Sequence, residues 1–170
     1  MIEAVIDSVT MNVAVRPIKG SNRSAPKKQT MNPLETPVRL RKLRLALDSS
    51  KGLISEWERT CGPAVKAFVI YCEQYDGVRL IENLGSPGSA ISKQLKRLGF
   101  GNDAIDKLIL KIALATEDRI IVSGESDFWD PKKPNDRQIP GQPNAPVARF
   151  FREELGITVL LLRMLLAKVR

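Results

Sequence analysis

Residues 119–128 read Arg-Ile-Ile-Val-Ser-Gly-Glu-Ser-Asp-Phe, an unbroken apolar run that leads into an acidic loop. A continuous run such as Ile120-Ile121-Val122 is typical of a strand buried on both faces of a parallel sheet. Ligands of open parallel sheets bind beyond the carboxyl ends of the strands, which is where Glu125 and Asp127 follow this run. The stretch therefore predicts a parallel α/β fold together with the place of its site.

A second strand is predicted at residues 43–48, where Leu43, Leu45 and Leu47 recur with a period of two and the run closes on Asp48. Further strands are predicted at residues 78–82 and 157–161. Helical spacing predicts helices at about 52–59, 63–74, 89–98, 104–116, 147–155 and 162–170. Because strands and helices alternate, the chain is expected to fold as a three-layer α/β/α sandwich with a mostly parallel central sheet.

Two segments lack this alternation. Residues 129–146 contain five prolines and are predicted to form a surface loop. Residues 1–42 hold eight Lys or Arg against three acids, a net charge of +5, and residues 16–42 have no apolar periodicity. We therefore predict a basic, poorly ordered tail over residues 1–42 and a folded domain over residues 43–170. The first fifteen residues are either a short strand or an artefact of starting at Met1, with Met31 as the alternative first residue.

Composition excludes several classes of protein. The hydrophobic fraction of 43% suits a folded globular chain, and no apolar run reaches the roughly 18 residues that a membrane helix needs. The start of the chain does not resemble a secretory signal, so a cytoplasmic protein with no membrane contact is expected. Cys61 and Cys72 have neither disulfide-scaffold nor zinc-site spacing and are predicted to be buried free thiols.

The absence of histidine narrows the chemistry. It excludes Ser-His and Cys-His nucleophile pairs, histidine acid-base catalysis and histidine-ligated zinc. Any chemistry must use carboxylates, Lys, Ser or Tyr. The net charge of +8 favours a polyanionic partner such as RNA or DNA.

Several acids fall where the predicted strands and helices meet, and we take them as candidate metal ligands: Asp48, Glu56, Asp103, Asp106, Glu125 and Asp127. Clustered carboxylates repel one another unless a cation neutralises them. Oxygen ligands without His or Cys favour Mg²⁺ or Mn²⁺ over zinc. Two such ions can activate water and stabilise an in-line phosphoryl displacement.

Simpler interpretations exist for single members of this set. Asp103 is also expected as a helix N-cap, with Asp106 three residues later in the first turn. Glu56 is also readily explained as a solvated helix residue. Asp48 is harder to explain in this way, because an acid that closes an apolar strand gains nothing from the core.

The chain resembles the PIN-like nucleases in a series of segments that occur in the family's order. The run Leu45-Ala46-Leu47-Asp48-Ser49-Ser50 with Glu56-Trp57 resembles the family's opening strand and helix. The segments Leu98-Gly99-Phe100, Asp103-Ala104-Ile105-Asp106 and Ile120 to Phe128 resemble its second half. The loop after Val122 is the most specific part. The resemblance covers residues 43–128, with the remainder agreeing in topology only.

This resemblance implies a metal-dependent endoribonuclease. Asp48, Glu56, Asp106 and Asp127 would be the catalytic metal ligands, with Asp103 and Glu125 as alternates. Glu125 stands where the family usually has Asp, so either Glu125 or Asp127 is the ligand, and Ser50 stands where Asn is frequent. RNA is the implied substrate, with DNA as the alternative, and a small antitoxin-like partner and a homodimer are further expectations. The competing hypothesis is a non-catalytic RNA-binding or partner-binding module on the same fold.

Overall fold

The computed structural model describes residues 1–15 and 32–170, and its centre is a sheet of five strands that are all parallel. The strands are β1 (Ile2–Ile6), β2 (Leu43–Asp48), β3 (Val78–Ile81), β4 (Ile120–Val122) and β5 (Thr158–Leu160), in the spatial order β3-β2-β1-β4-β5. The predicted α/β sandwich with a parallel central sheet is confirmed.

Helices connect the strands. They are α1 (Ser8–Val15), α2 (Glu35–Arg39), α3 (Gly52–Cys61), α4 (Pro63–Gln74), α5 (Gly88–Leu98), α6 (Ala104–Leu114), α7 (Pro146–Leu155) and α8 (Leu162–Lys168), with a 3-10 turn at Ser126–Phe128. Residues 129–145 form neither helix nor strand, as predicted. Within the described part of the chain, no helix is long and apolar enough to cross a membrane.

The first strand is the central strand of the sheet, which the sequence did not make clear. β1 pairs with β2 through Ile2 and Leu43 and with β4 through Ile6 and Val122. The prediction of a poorly ordered tail is therefore wrong for residues 1–15, and also for residues 32–42, which carry α2. A domain boundary at residue 43 would divide one sheet, and a start at Met31 would remove its centre. The predicted disorder of residues 16–31 lies outside the described residues.

Ion pairs and hydrogen bonds of Glu3 connect β1, β2 and β3 near their amino ends. The buried carboxylate of Glu3 on β1 accepts a hydrogen bond from Arg79 Nη1 on β3 at 2.5 Å. It also lies 3.8 Å from Arg44 Nη1 on β2. The backbone N–H of Glu3 donates to Asp118 Oδ2 at 2.8 Å. These contacts satisfy the single charged side chain on the buried central strand, as buried charges require.

A tryptophan fixes α3 against the end of β1. The Trp57 side chain is fully buried, and its Nε1 donates a hydrogen bond to the carbonyl oxygen of Ile6 at 3.1 Å. Because Ile6 is the last residue of β1, this bond places α3 beside the carboxyl edge of the central strand. Glu56, which precedes Trp57, is carried to the same edge.

The central position of β1 predicts a large effect of a single core truncation. Ile6 is 0% exposed, so Ile6→Ala is expected to lower the free energy of unfolding by about 2–5 kcal/mol. Val13, in the same N-terminal segment, is 67% exposed, and Val13→Ala should change it by less than about 0.5 kcal/mol. Urea denaturation of both variants measures the difference. Equal stability of the two variants would contradict the central placement of β1.

Candidate acidic site

The candidate site lies where the strand order reverses. From β1 the sheet continues through β2 to β3 on one side and through β4 to β5 on the other. In open parallel sheets this switch point forms a crevice at the carboxyl edge, because the connections leave in opposite directions. Asp7 follows β1 directly, and the acidic loop with Glu125 follows β4. The two loops are neighbours, since Ile6 and Val122 are paired.

Asp7 is the most deeply buried acid of this edge and is 0% exposed. Its Oδ1 accepts a hydrogen bond from the backbone N–H of Thr10 at 2.5 Å, and its Oδ2 accepts one from Thr10 Oγ1 at 3.2 Å. Thr10 Oγ1 in turn accepts from the N–H of Gly124 at 3.0 Å, which joins the first turn of α1 to the loop after β4. Burial raises the pKa of Asp7, and hydrogen bonds from Ser123 and Thr10 oppose that rise.

Asp106 and Glu125 are the two acids of this edge whose pKa values rise most clearly through burial and neighbouring negative charge. Burial first, and then the negative charges of Asp127, Asp103 and Asp7, raise the pKa of Asp106 to about 7. Burial and the charges of Asp7, Asp106, Asp127 and Asp103 likewise raise the pKa of Glu125 to about 7. Carboxyl groups from three separate chain segments are therefore close enough to oppose the ionisation of Asp106 and Glu125. We call Asp7, Asp103, Asp106, Glu125 and Asp127 the acidic cluster.

The other two members lie at the rim of the cluster. Asp103 is exposed, and its Oδ1 caps α6 by accepting a hydrogen bond from the N–H of Ile105 at 2.7 Å. The N-cap prediction for Asp103 is thus confirmed, while its charge still acts on Asp106 and Glu125. Asp127 lies half-buried in the 3-10 turn that follows β4. Glu125 and Asp127 both belong to the acidic cluster, so the choice between them as the predicted metal ligand stays open.

Asp48 occupies a different role from the predicted one. It is 1% exposed, and it accepts hydrogen bonds from Ser50 Oγ at 2.5 Å, Gly52 N–H at 2.7 Å and Leu53 N–H at 2.9 Å. Burial works against ionisation, but these hydrogen bonds outweigh it and lower the pKa of Asp48. The carboxylate thus caps the first turn of α3, and Asp48 is not among the charges that act on Asp106 or Glu125. The predicted grouping of Asp48 with the other acids is therefore wrong, because its carboxylate lies on the first turn of α3.

Glu56 borders the cluster through a cation. Arg59 Nε and Nη2 donate to the two Glu56 carboxylate oxygens at 3.0 and 2.7 Å, and Thr60 Oγ1 donates to Oε1 at 3.0 Å. Glu56 first, and then Asp103, raises the pKa of the Arg59 guanidinium. Arg59 therefore lies between Glu56 and the rim of the cluster. As the side chains stand, Glu56 is a partner of Arg59 and Thr60.

The donor chemistry of the cluster fits a hard divalent cation, but the side chains do not form a ready-made cage. All its donors are carboxylate oxygens, the type that Mg²⁺ and Mn²⁺ prefer. Among residues 1–15 and 32–170, no group of three acids is arranged to hold one metal ion. Metal binding at this edge would therefore require side chains such as Asp106 and Glu125 to turn toward each other.

Sequence reasoning missed Asp7, although a signal was present. Residues 2–7 read Ile-Glu-Ala-Val-Ile-Asp, an apolar run that closes on an acid in the same way as residues 43–48. The basic residues that follow favoured a tail interpretation for the whole segment. These two pattern-equivalent acids both accept hydrogen bonds from the first turn of the helix that follows, but only Asp7 is among the charges that act on Asp106 and Glu125.

The fold and the cluster together define an α/β protein with a parallel five-stranded sheet and an acidic site at its switch point. No family model, no curated protein and no solved structure matches this chain. Membership of the PIN-like family therefore stays a prediction that depends on the sequence resemblance.

The repulsion within the cluster predicts that a charge-removing variant is stabilising. The pKa of Asp106 is raised from 3.8, the value of an exposed and isolated Asp, to about 7 by burial and by its acidic neighbours, so ionisation of Asp106 destabilises the fold as pH rises through this window. In chelator, Asp106→Asn should raise the free energy of unfolding at about pH 8 by up to about 4 kcal/mol, and the gain should vanish near pH 4.

Chemical denaturation at several pH values measures this effect. Asp136→Asn, in the exposed loop, removes the same charge outside the cluster and should show no such pH-dependent gain. A destabilised Asp106→Asn variant at pH 8 would mean that the cluster is held by interactions other than those described.

Proposed function

We propose that this protein is a divalent-metal-dependent nuclease that hydrolyses phosphodiester bonds at the acidic cluster. The observation that carries the proposal is the concentration of ionisable oxygens at the switch point, where the pKa values of both Asp106 and Glu125 are raised to about 7. Perturbed carboxyl groups in a crevice are a mark of functional sites, because such repulsion costs stability without benefit to the fold. A bound divalent cation would remove that cost.

The residues of the acidic cluster would have different roles, depending on how firmly hydrogen bonds hold each side chain in place. Asp7 is fixed by Thr10 in the first turn of α1, and the Thr10 hydroxyl also holds the loop after β4 through Gly124. Asp106, Glu125 and Asp127 are the ligands proposed to turn toward Asp7. When bound, Mg²⁺ or Mn²⁺ lowers the pKa of water and stabilises charge on the reacting phosphate. Glu56, held by Arg59, would position groups at the rim.

RNA is the proposed substrate, with DNA as the alternative. The net charge of +8 favours a polyanion, because Lys and Arg release counterions from nucleic acid on binding. The preference for RNA comes from the family resemblance alone. The small inhibitory partner, the homodimer and the cytoplasmic location that the sequence suggested remain predictions.

One observation favours a non-catalytic binding module instead. Two of the acids expected at the site serve as helix caps, Asp48 for α3 and Asp103 for α6. The described acids also form no preformed metal cage. In this alternative the fold binds a nucleic acid or a protein without cleaving it, and divalent ions have no specific place.

A cleavage assay with two sets of Asp variants separates these hypotheses. With Mn²⁺ and labelled single-stranded RNA, Asp7→Asn, Asp106→Asn and Asp127→Asn are each expected to lower the rate by about a hundredfold or more, a typical loss for groups that act in the transition state. Asp48→Asn is the matched control, since it is the same change at the same sheet edge on a residue that caps a helix. At temperatures below its melting temperature, the Asp48→Asn variant should cleave RNA at a rate within about tenfold of the wild-type rate.

The design leaves each outcome informative. Intact RNA with the wild-type protein, together with no divalent-ion binding by calorimetry, would sink the nuclease proposal and favour the binding module. A loss on Asp48→Asn as large as that on Asp106→Asn, in a folded variant, would show that the cluster has been assigned to the wrong residues.

A further inference from the structure

A cavity of about 140 Å³ lies beside α5 and α6, outside the acidic cluster. Its apolar lining includes Leu95, Phe100 and Leu110, each 3% exposed. Its polar lining includes Lys107, Lys111 and Ser92. Sites for drug-sized molecules are roughly 300–1,000 Å³, so this cavity suits a smaller group such as one phosphate or part of one nucleotide.

The two lysines give the cavity its chemistry. Lys107 and Lys111 are four residues apart on α6, so their side chains are neighbours on one face of the helix. Among the described residues neither ammonium group forms an ion pair. Like charges at this spacing weakly destabilise a helix, and an anion placed between them would reverse that effect. The Lys107 stem is held along Gly101, because a Cβ at Gly101 would lie 3.4 Å from Lys107 Cε.

Two chain connections place this cavity next to the acidic cluster. Lys107 directly follows Asp106 on α6. Phe100, which lines the cavity, packs edge-on against Phe128 with ring centroids 5.5 Å apart, and Phe128 directly follows Asp127. The cavity and the acidic cluster thus share α6 and meet at the contact between Phe100 and Phe128.

We infer that the cavity bounded by Lys107 and Lys111 is a subsite for the phosphodiester backbone of a nucleic-acid strand, flanking the acidic cluster. The inference rests on the proposed function for the identity of the strand, but the binding itself needs no metal ion and no cleavage. The lysine ammonium groups hold the phosphate, and the apolar surface of Leu95 and Phe100 receives the adjoining sugar or base. A single row of phosphates would then lie across a positive subsite and a negative, metal-dependent one.

Binding measured in chelator tests this subsite by itself. The probe is a short labelled single-stranded RNA, followed by fluorescence anisotropy from about 50 to about 200 mM salt. Lys107→Gln/Lys111→Gln should lower affinity about tenfold or more and reduce the steepness of log K against log salt by roughly 0.7, the value for one lost phosphate contact on a single strand.

The matched control is Lys93→Gln/Lys96→Gln, which removes two exposed lysines of α5 that do not line the cavity. It should leave the salt dependence unchanged. Ser92→Leu fills the cavity without a change of charge and should also weaken binding. DNA of the same sequence should respond to the variants as RNA does, because only the backbone is contacted.

The outcomes separate this inference from the nuclease proposal. Three results would overturn the subsite: equal losses of affinity in the two double-lysine variants, no loss in either variant, or a loss for only one of RNA and DNA. Cleavage without dependence on Lys107 and Lys111 would remove the subsite and leave the nuclease. Lysine-dependent binding without cleavage would remove the nuclease and leave the subsite. Melting curves of each variant establish that the changes act on binding and not on folding.

Discussion

The pairing of β1 between β2 and β4 is the constraint on which the rest of the structure depends. A central parallel strand is hydrogen-bonded on both edges, so its removal would separate the sheet into two incomplete halves. The same pairing creates the switch point, because the chain leaves β1 and β4 toward opposite sides. Asp7 owes its position to this arrangement, and so does the contact from Trp57 that brings α3 to the same edge.

The acidic cluster is a feature that folding alone does not favour. Burial and mutual repulsion act in the same direction on Asp106 and Glu125, and no described cation forms an ion pair with either. Functional sites commonly lower the stability of a fold in this way, because the function requires charged groups to lie close together. Asp48 shows the contrast, because its neighbours donate three hydrogen bonds and favour its ionised form.

Asp106 of the acidic cluster and Lys107 of the lysine-lined cavity are consecutive residues of α6, and their opposite charges suit a cation and an anion respectively. If the proposed function and subsite hold, their adjacency would give a nucleic-acid strand two distinct contacts, one through a cation and one direct. The net charge of +8 favours attraction to a polyanion at long range without fixing a register. Proteins that bind polyanions commonly combine a few specific contacts with a long-range electrostatic attraction.

The sequence by itself determined the fold class, the strands at residues 43–48 and 120–122, and the gathering of Asp103, Asp106, Glu125 and Asp127 near one edge. These follow from local periodicity and from the rule that parallel strands present their carboxyl ends together. Only the tertiary structure decided that Asp7, and not Asp48, belongs to the cluster. Both acids close an apolar strand and accept hydrogen bonds from the first turn of the next helix, and their difference is that only Asp7 lies beside the loop after β4. That depends on which strands are neighbours, a long-range property that local patterns do not carry.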